Sequence, residues 1–215
     1  MGVPDLVILD CDGVLVDSER VVVDVDVRFL GELGWPITSD EVVERFVGVT
    51  PEQFVAEVEQ RLGTDLPEGW YDELIRRQRA ALRAGVTPVS GVLEALDRLA
   101  APVCVASNGG HEKLRLTLEA TSLAERFAGR VFSAEDVARG KPAPDLFLHA
   151  AERMGAAPQR CVVVEDSPAG VRAGLAAGMR VLAFAGGVVP AARLAFPGVE
   201  VFDDMADLPR LLEGA

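Results

Sequence analysis

Four short polar segments contain the residue types that could carry chemistry, and each lies at or near the end of an apolar run. The segments are Asp10-Cys11-Asp12-Gly13, Ser107-Asn108-Gly109, Gly140-Lys141-Pro142 and Glu165-Asp166-Ser167. In an open parallel sheet the carboxyl ends of the strands lie at one edge, so these segments are expected to converge there. Carboxylates that share a crevice repel one another, and a bound cation removes that repulsion. A hard divalent cation beside a lysine, a hydroxyl and backbone amides suits a phosphoryl group.

The first segment supplies two acids in an order suited to phosphoryl transfer. A carboxylate can act as a nucleophile and form an aspartyl-phosphate, and Asp10 at the end of the first strand could do so. Asp12, two residues further on, could protonate the leaving oxygen and later deprotonate water. One acid or base contributes roughly 10²–10⁴-fold. The cation, Lys141 and Ser107 must therefore stabilise much of the remaining transition-state charge.

The use of lysine at position 141 is itself informative. Of the 21 basic residues only Lys113 and Lys141 are lysines, and the rest are arginines. A compact ammonium and a planar guanidinium are not interchangeable, so a lysine in the third segment indicates that a point charge is needed there. Lys113 falls within a predicted helix, and we expect it to be a solvated surface charge.

The elements that position these segments alternate between helices and strands after Pro88. After a first strand at 6–9, strands are predicted at 103–106, 130–133, 161–164, 180–184 and 199–202. Helices are predicted at 91–100, 111–120, 144–154 and 168–177. This alternation predicts an α/β fold with a doubly wound parallel sheet.

A helical block interrupts the alternation after the first strand. Capping boxes begin at Thr38 and Thr50, and glycines at the far ends favour helices at about 51–62 and 68–84. The segment 21–27 alternates valine and aspartate as a strand would, and only its wider apolar spacing allows the helix that we assign. We therefore predict a helical cap at 17–84, inserted into a core formed by 1–16 and 85–215.

Composition restricts the classes of partner. The chain of 215 residues has a formal net charge of −13, and 49% of its residues are hydrophobic. This negative field repels phosphate backbones, so we expect no nucleic-acid partner. No apolar run reaches the roughly 18 residues of a membrane span, and the N-terminal stretch lacks the basic start of a signal peptide. The three cysteines show no zinc or disulfide spacing, and we expect a cytoplasmic protein.

Together the four segments resemble the motifs of the haloacid dehalogenase-like (HAD) hydrolase superfamily in order and spacing, over essentially the whole chain. The subgroup resembled has a helical cap and includes β-phosphoglucomutase and bacterial phosphatases that act on sugar phosphates and 6-phosphogluconate. The resemblance implies a Rossmann-like HAD core and a Mg²⁺-dependent phosphatase that works through an aspartyl-phosphate. It also favours the cap helix over the strand at 21–27.

The resemblance also implies roles for individual residues. Asp10 is the expected nucleophile and Asp12 the expected general acid/base. The phosphate-binding set it implies is Ser107, Asn108 and Lys141. The Mg²⁺-binding set it implies is Asp10, the backbone carbonyl of Asp12, and Asp166, with Glu165 in or beside the ligand set.

The expected partner is a small phosphorylated metabolite, either a sugar phosphate or a phosphorylated sugar acid. Residues 47–50 and three cap arginines, Arg76, Arg77 and Arg79, are candidates to face it. A solvated helix surface explains these arginines equally well. The expected oligomeric state is a monomer or a weak homo-oligomer.

Two alternatives remain open at this stage. The first is a phosphosugar mutase of the β-phosphoglucomutase type. Such mutases resemble this chain but carry a histidine and an arginine in the cap, where this chain has Val22 and Pro51. The second alternative is a phosphoacceptor signalling module, which is not an enzyme. Its acceptor aspartate ends the third strand, whereas the acids here follow the first strand.

Overall fold

A parallel sheet carries the polar segments at one of its edges. The computed structural model describes residues 3–47, 49, 51–63 and 66–213. The strands in these residues are β1 (Leu6–Leu9), β2 (Val103–Ser107), β3 (Val131–Ser133), β4 (Cys161–Glu165), β5 (Arg180–Phe184) and β6 (Glu200–Phe202). They form one sheet in the order β3-β2-β1-β4-β5-β6, and every pair is parallel. This confirms the predicted doubly wound α/β fold.

Helices follow the strands and cover both faces of the sheet. They are α1 (Ser18–Glu32), α2 (Ser39–Phe46), α3 (Pro51–Leu62), α4 (Trp70–Gly85), α5 (Val92–Arg98), α6 (His111–Ala120), α7 (Asp145–Met154), α8 (Pro168–Ala176), α9 (Ala191–Leu194) and α10 (Leu208–Glu213). Two hydrophobic clusters, one on each face, enclose the sheet, and β1 and β4 are buried along their whole length. The helices and strands given ranges from the sequence agree with the structure to within two residues at either end.

The order of the strands reverses beside β1. Strands β2 and β3 lie on one side of β1, and β4, β5 and β6 lie on the other. Ligands of open α/β sheets bind at such a reversal, outside the carboxyl ends of the strands. The first and fourth polar segments follow β1 and β4, so the topology brings them together at this crevice.

Helices α1 to α4 pack mainly on one another and form a hydrophobic cluster of their own, with Phe29, Phe46, Phe54, Trp70 and Leu74 among its members. This cluster is the packing expected of a helical cap, while the boundary at 17–84 stays a prediction. None of the helices in the described residues is both long and apolar enough to cross a membrane.

The segment 21–27 lies in α1 and is helical, in spite of its strand-like alternation. Val23 and Val25 are buried in the cap cluster, whereas Val21 and Val22 pack against the core of the sheet. Because α1 contacts apolar surfaces on several sides, its valines do not follow a single helical face. This explains why the alternation of valine and aspartate at 21–27 indicates a strand although the segment is helical.

Capping explains where the cap helices begin. Thr38 accepts a hydrogen bond from the Glu41 amide, and the Glu41 carboxylate accepts one from the Thr38 amide at 2.9 Å. This confirms the first capping box. The second begins at Thr50, which lies outside the described residues.

Candidate functional site

A buried ammonium joins two carboxylates at the centre of the site. The Nζ atom of Lys141 donates hydrogen bonds to Oδ1 of Asp10 and Oε1 of Glu165, both at 2.5 Å. The Lys141 side chain is 3% exposed, and its Nζ lies 4.8 Å from the centre of the Phe147 ring. Buried charges are tolerated only when they are paired and hydrogen-bonded, and this triad meets that condition.

The same triad sets the protonation of its members. Burial alone would lower the pKa of Lys141, but the charges of Asp10 and Glu165 raise it above its usual value. Burial raises the pKa of Asp10, and the nearby carboxylates of Glu165 and Asp12 add to this, while Lys141 opposes it. Asp10 therefore needs positive charge beside it to be ionised.

Glu165 connects the lysine to the helix that follows β4. Its Oε2 atom accepts hydrogen bonds from the amide and the hydroxyl of Ser167, both at 2.9 Å, and Ser167 caps α8. A Cβ atom on Gly170 would lie 1.8 Å from the Glu165 carboxyl carbon, so only glycine leaves room for this carboxylate. One carboxylate oxygen of Glu165 thus accepts a hydrogen bond from Lys141, and the other accepts hydrogen bonds from Ser167. A direct metal contact of the Glu165 side chain, which the sequence left open, would compete with these bonds.

Asn108 holds the loop that carries the lysine. Its side-chain oxygen accepts a hydrogen bond from the Lys141 amide at 2.8 Å, and its side-chain nitrogen donates to the Lys141 carbonyl at 3.0 Å. A Cβ atom on Gly140 would lie 2.6 Å from this side-chain oxygen, which explains the glycine before the lysine. Both ends of the Asn108 amide are used in this way, so the side chain positions Lys141. The side-chain nitrogen carries a second N–H, so the predicted phosphate contact does not require either of these bonds to break.

Ser107 lies at the end of β2, next to these groups in the chain. It is buried, and its hydroxyl oxygen accepts a hydrogen bond from the Gly109 amide at 3.2 Å. The hydroxyl proton is left to donate, as the sequence-based role in phosphate binding requires.

Asp12 has partners that the sequence did not indicate. Its Oδ1 atom accepts a hydrogen bond from the Ser18 hydroxyl at 2.5 Å, and its Oδ2 atom accepts one from the Lys113 ammonium at 2.7 Å. The expectation that Lys113 is a solvated surface charge is therefore wrong. Lys113 lies on the face of α6 that turns toward the site, and its side chain is 41% exposed.

The partners of Asp12 keep it ionised. Burial raises the pKa of Asp12, but the charge of Lys113 and the hydrogen bonds from Lys113 and Ser18 outweigh it and lower the pKa below its usual value. The pKa of Lys113 is raised by the charge of Asp12, although burial opposes this. Asp12 is thus held as a carboxylate while these contacts are present.

Asp166 faces a second acid, Glu19, and the described residues offer fewer hydrogen-bond donors than these two carboxyl groups have acceptor oxygens. The two carboxyl groups are hydrogen-bonded to each other, and burial raises the pKa of both. The charge of Asp12 adds to this for Glu19, and the charge of Glu19 adds to it for Asp166. Among the described residues no group donates a hydrogen bond to Oδ2 of Asp166 or to Oε2 of Glu19, and both atoms are buried. A Cβ atom on Gly13, which has φ +74°, would lie 1.8 Å from Oδ2 of Asp166. The backbone thus comes close to a buried carboxylate oxygen that lacks a partner.

These observations fit a bound divalent cation. Buried acidic oxygens without donors are stabilised by a cation, and oxygen donors are the ligands that Mg²⁺ prefers. In the described part of the chain, three acidic, histidine or cysteine side chains do not converge as a ready-made set of metal ligands. Mg²⁺ typically takes one or two carboxylates and completes its shell with water and substrate phosphate, so such a set is not required.

A cavity of about 310 Å³ lies between the site and the cap. Asp12, Ser18, Glu19 and Lys113 line its core end, and apolar residues of the cap line most of the rest. Val47 and Val49 line it as expected for the segment 47–50, whose other two residues lie outside the described part. This volume is at the lower end of the range for small-ligand sites.

The three candidate arginines of α4 do not line this cavity. Arg76 and Arg77 pair with Glu73 at 2.6 and 2.8 Å, which agrees with a solvated helix surface. Arg79 lines an adjoining cavity between α4 and α6.

Sequence reasoning found the segments of the site but missed Ser18, Glu19 and Lys113 as members. Ser18 and Glu19 follow the first segment closely and begin α1, and their position in the first helical turn was the available signal. Lys113 carried a weaker signal, because it is one of only two lysines.

Three comparisons place these features among known proteins. The family model described as haloacid dehalogenase-like hydrolase matches residues 4–178. A 6-phosphogluconate phosphatase of Escherichia coli is 32% identical over 209 residues, covering 96% of this chain and 94% of its own length. Hexitol phosphatase A of Escherichia coli is 43% identical over 103 residues, 46% of each chain. A haloacid dehalogenase-like protein of unknown function from Agrobacterium tumefaciens superposes with a TM-score of 0.91 at 40% identity, covering 98% of each chain.

Removing Glu165 should destabilise the protein, because Lys141 and the Ser167 amide would lose a buried acceptor. We expect Glu165→Ala to lower the free energy of unfolding by about 3–5 kcal/mol in urea denaturation. Glu200→Ala is the matched control, since its half-exposed ion pair with Arg180 should contribute at most about 1 kcal/mol. Equal losses in the two variants would contradict the role given to the triad.

Proposed function

The chain belongs to the haloacid dehalogenase-like hydrolase family, and we propose that it is a Mg²⁺-dependent phosphatase that acts through an aspartyl-phosphate at Asp10. The substrate class proposed is a small phosphorylated metabolite, either a sugar phosphate or a phosphorylated sugar acid. The names of the two Escherichia coli relatives support this class. The observation that carries the proposal is the buried contact of Lys141 with Asp10 beside a cavity lined by Asp12.

The side chains divide the proposed reaction among them. Asp10 attacks the phosphorus atom, and the bond from phosphorus to the substrate oxygen breaks as that oxygen takes a proton by way of Asp12. Because Lys113 and Ser18 hold Asp12 as a carboxylate, the monoprotonated substrate phosphate supplies this proton to Asp12 on binding. Asp12 then takes a proton from water, which attacks the phosphorus, releases inorganic phosphate and restores Asp10. Lys141 and Ser107 offset the charge on the phosphoryl oxygens throughout.

The residues proposed to hold Mg²⁺ are Asp10, the backbone carbonyl of Asp12, and Asp166. The buried oxygen of Asp166 that lacks a donor supports this assignment. When bound, the metal ion would act as a Lewis acid on the phosphoryl group. Glu19, which is hydrogen-bonded to Asp166, would then position the Asp166 carboxylate.

Hydrolysis is favoured over transfer to a second sugar hydroxyl. Val22 and Pro51 both line the cavity, at the places where mutases of this subgroup are expected to carry a histidine and an arginine. Neither side chain can move a proton or bind a second phosphate. The cavity also favours an enzyme over a signalling module, because a phosphoacceptor domain has no need of a substrate pocket. The cytoplasmic location and the monomeric or weakly oligomeric state stay predictions from the sequence.

We expect Asp10→Asn to reduce steady-state phosphate release by about 10³-fold or more, because an amide cannot form the acyl phosphate. Asp5→Asn, an exposed acid just before β1, is the control and should keep wild-type turnover. Substantial release of phosphate by the folded Asp10 variant would rule out the nucleophile assignment.

Activity should require a divalent metal ion. We expect EDTA-treated enzyme to be inactive and to recover with Mg²⁺. Asp166→Ala should raise the Mg²⁺ concentration needed for half-maximal activity by about 10–100-fold, whereas the exposed Asp207→Ala should not. Full activity of the metal-free enzyme would contradict this part of the proposal.

A third measurement separates the phosphatase from the mutase. Incubation with β-glucose 1-phosphate and a trace of the 1,6-bisphosphate should yield inorganic phosphate at most, because water is the acceptor. Product analysis by a coupled glucose 6-phosphate assay provides the readout. Efficient formation of glucose 6-phosphate would favour the mutase.

A further inference from the structure

Three polar side chains lie in the cap part of an otherwise apolar cavity wall. Asp26 of α1 and Gln78 and Tyr71 of α4 all line the cavity between the cap and the site. Their neighbours along this wall are apolar and include Phe46 and Leu74. A few convergent polar groups in an apolar pocket are the usual means of orienting a ligand.

Asp26 is buried at an appreciable cost. It is 5% exposed, and burial raises its pKa to about 6, although a hydrogen bond from Gln78 opposes this. The Nε2 atom of Gln78 donates to Oδ1 of Asp26 at 2.6 Å. A carboxylate that lines a cavity can accept several hydrogen bonds, and a ligand hydroxyl can donate one to Asp26 in addition to that from Gln78.

Helix α1 sets the distance between this pair and the reacting end. Ser18 donates its hydrogen bond to Asp12 at 2.5 Å, and Asp26 lies eight residues further along the same helix. At a rise of 1.5 Å per residue the two positions are about 12 Å apart. A ligand that reaches from the phosphoryl site to Asp26 must therefore be an extended chain of several carbons.

The charged side chains that line the cavity are distributed unevenly between its two ends. In the described part of the chain, Lys113 is the only cationic side chain that lines it, and Lys113 lies at the reacting end in contact with Asp12. The cap end has a carboxylate and no cation among the described lining residues. A carboxylate or second phosphate at the far end of a substrate would be repelled there and left without a partner.

We propose that Asp26 and Gln78 form a hydroxyl-binding subsite that selects a phosphorylated polyol chain ending in hydroxyl groups over one ending in an anionic group. The proposal rests on the phosphatase function proposed above and narrows its substrate class. A purely structural pair that joins α1 to α4 is the alternative. The two differ in one respect, because a structural pair does not distinguish between two substrates that differ only at their far end.

Sorbitol 6-phosphate and 6-phosphogluconate form such a pair of probes, since they differ only at C1, which is an alcohol in one and a carboxylate in the other. Glycerol 3-phosphate is too short to reach Asp26 and serves as the reference. We expect the wild-type enzyme to have a kcat/KM for sorbitol 6-phosphate about tenfold or more above that for 6-phosphogluconate.

Three variants test the assignment. Asp26→Ala should lower the ratio of kcat/KM for sorbitol 6-phosphate to that for glycerol 3-phosphate by about tenfold. Asp26→Asn keeps the volume of the side chain, removes its charge and should reduce the preference for the alcohol over the acid. Gln78→Lys should reverse that preference, because it places a cation at the cap end. Asp24→Ala, at an exposed position on the same helix, should leave all ratios at the wild-type values.

The outcomes separate this inference from the function on which it rests. If none of the three esters releases phosphate, the proposed function fails and the inference fails with it. If they are hydrolysed but the wild-type enzyme prefers 6-phosphogluconate, the inference alone is overturned. The same holds if Asp26→Asn and Gln78→Lys leave the ratio of the two six-carbon probes unchanged.

Discussion

The ammonium of Lys141 makes the arrangement of the site possible. Strands β1 and β4 are neighbours, and their register pairs Leu9 with Val164, so Asp10 and Glu165 leave the sheet side by side. Adjacent strands are less than 5 Å apart, and two buried carboxylates at that spacing would repel each other strongly. The lysine bonds to both of them at 2.5 Å. The fold can thus bury Asp10, the proposed nucleophile, at the end of its central strand because a cation from another loop is fixed beside it.

Much of the surrounding structure serves to fix that cation. Asn108, which directly follows β2, is hydrogen-bonded to the backbone amide and carbonyl of Lys141. Glu165, at the end of β4, accepts a hydrogen bond from the Lys141 ammonium. Gly140 and Gly170 lie against these two side chains, where a Cβ atom would collide with them. Residues from three polar segments are therefore parts of one support for a single charge.

The sequence was sufficient for the sheet and for the segments at its edge, because apolar runs and the residues that end them are local patterns. It was insufficient where a partner is remote in the chain. Lys113 and Asp12 are 101 positions apart, and no periodicity shows that this face of α6 meets the first loop. Asn108 positions the loop that carries Lys141, which is 33 positions away in the chain. The short helices α9 and α10 span too few turns to produce a period, and the valines of α1 contact two different clusters.

The distribution of the two lysines has a consequence for chemical labelling. Both primary amines carried by side chains lie at the site, and every other basic side chain apart from the histidines is a guanidinium. Lys141 is enclosed at 3% exposure, whereas Lys113 is 41% exposed beside the cavity. Amine-directed reagents would therefore find, apart from the chain terminus, one accessible target. A fluorophore or affinity group attached there would lie beside the cavity and next to Asp12.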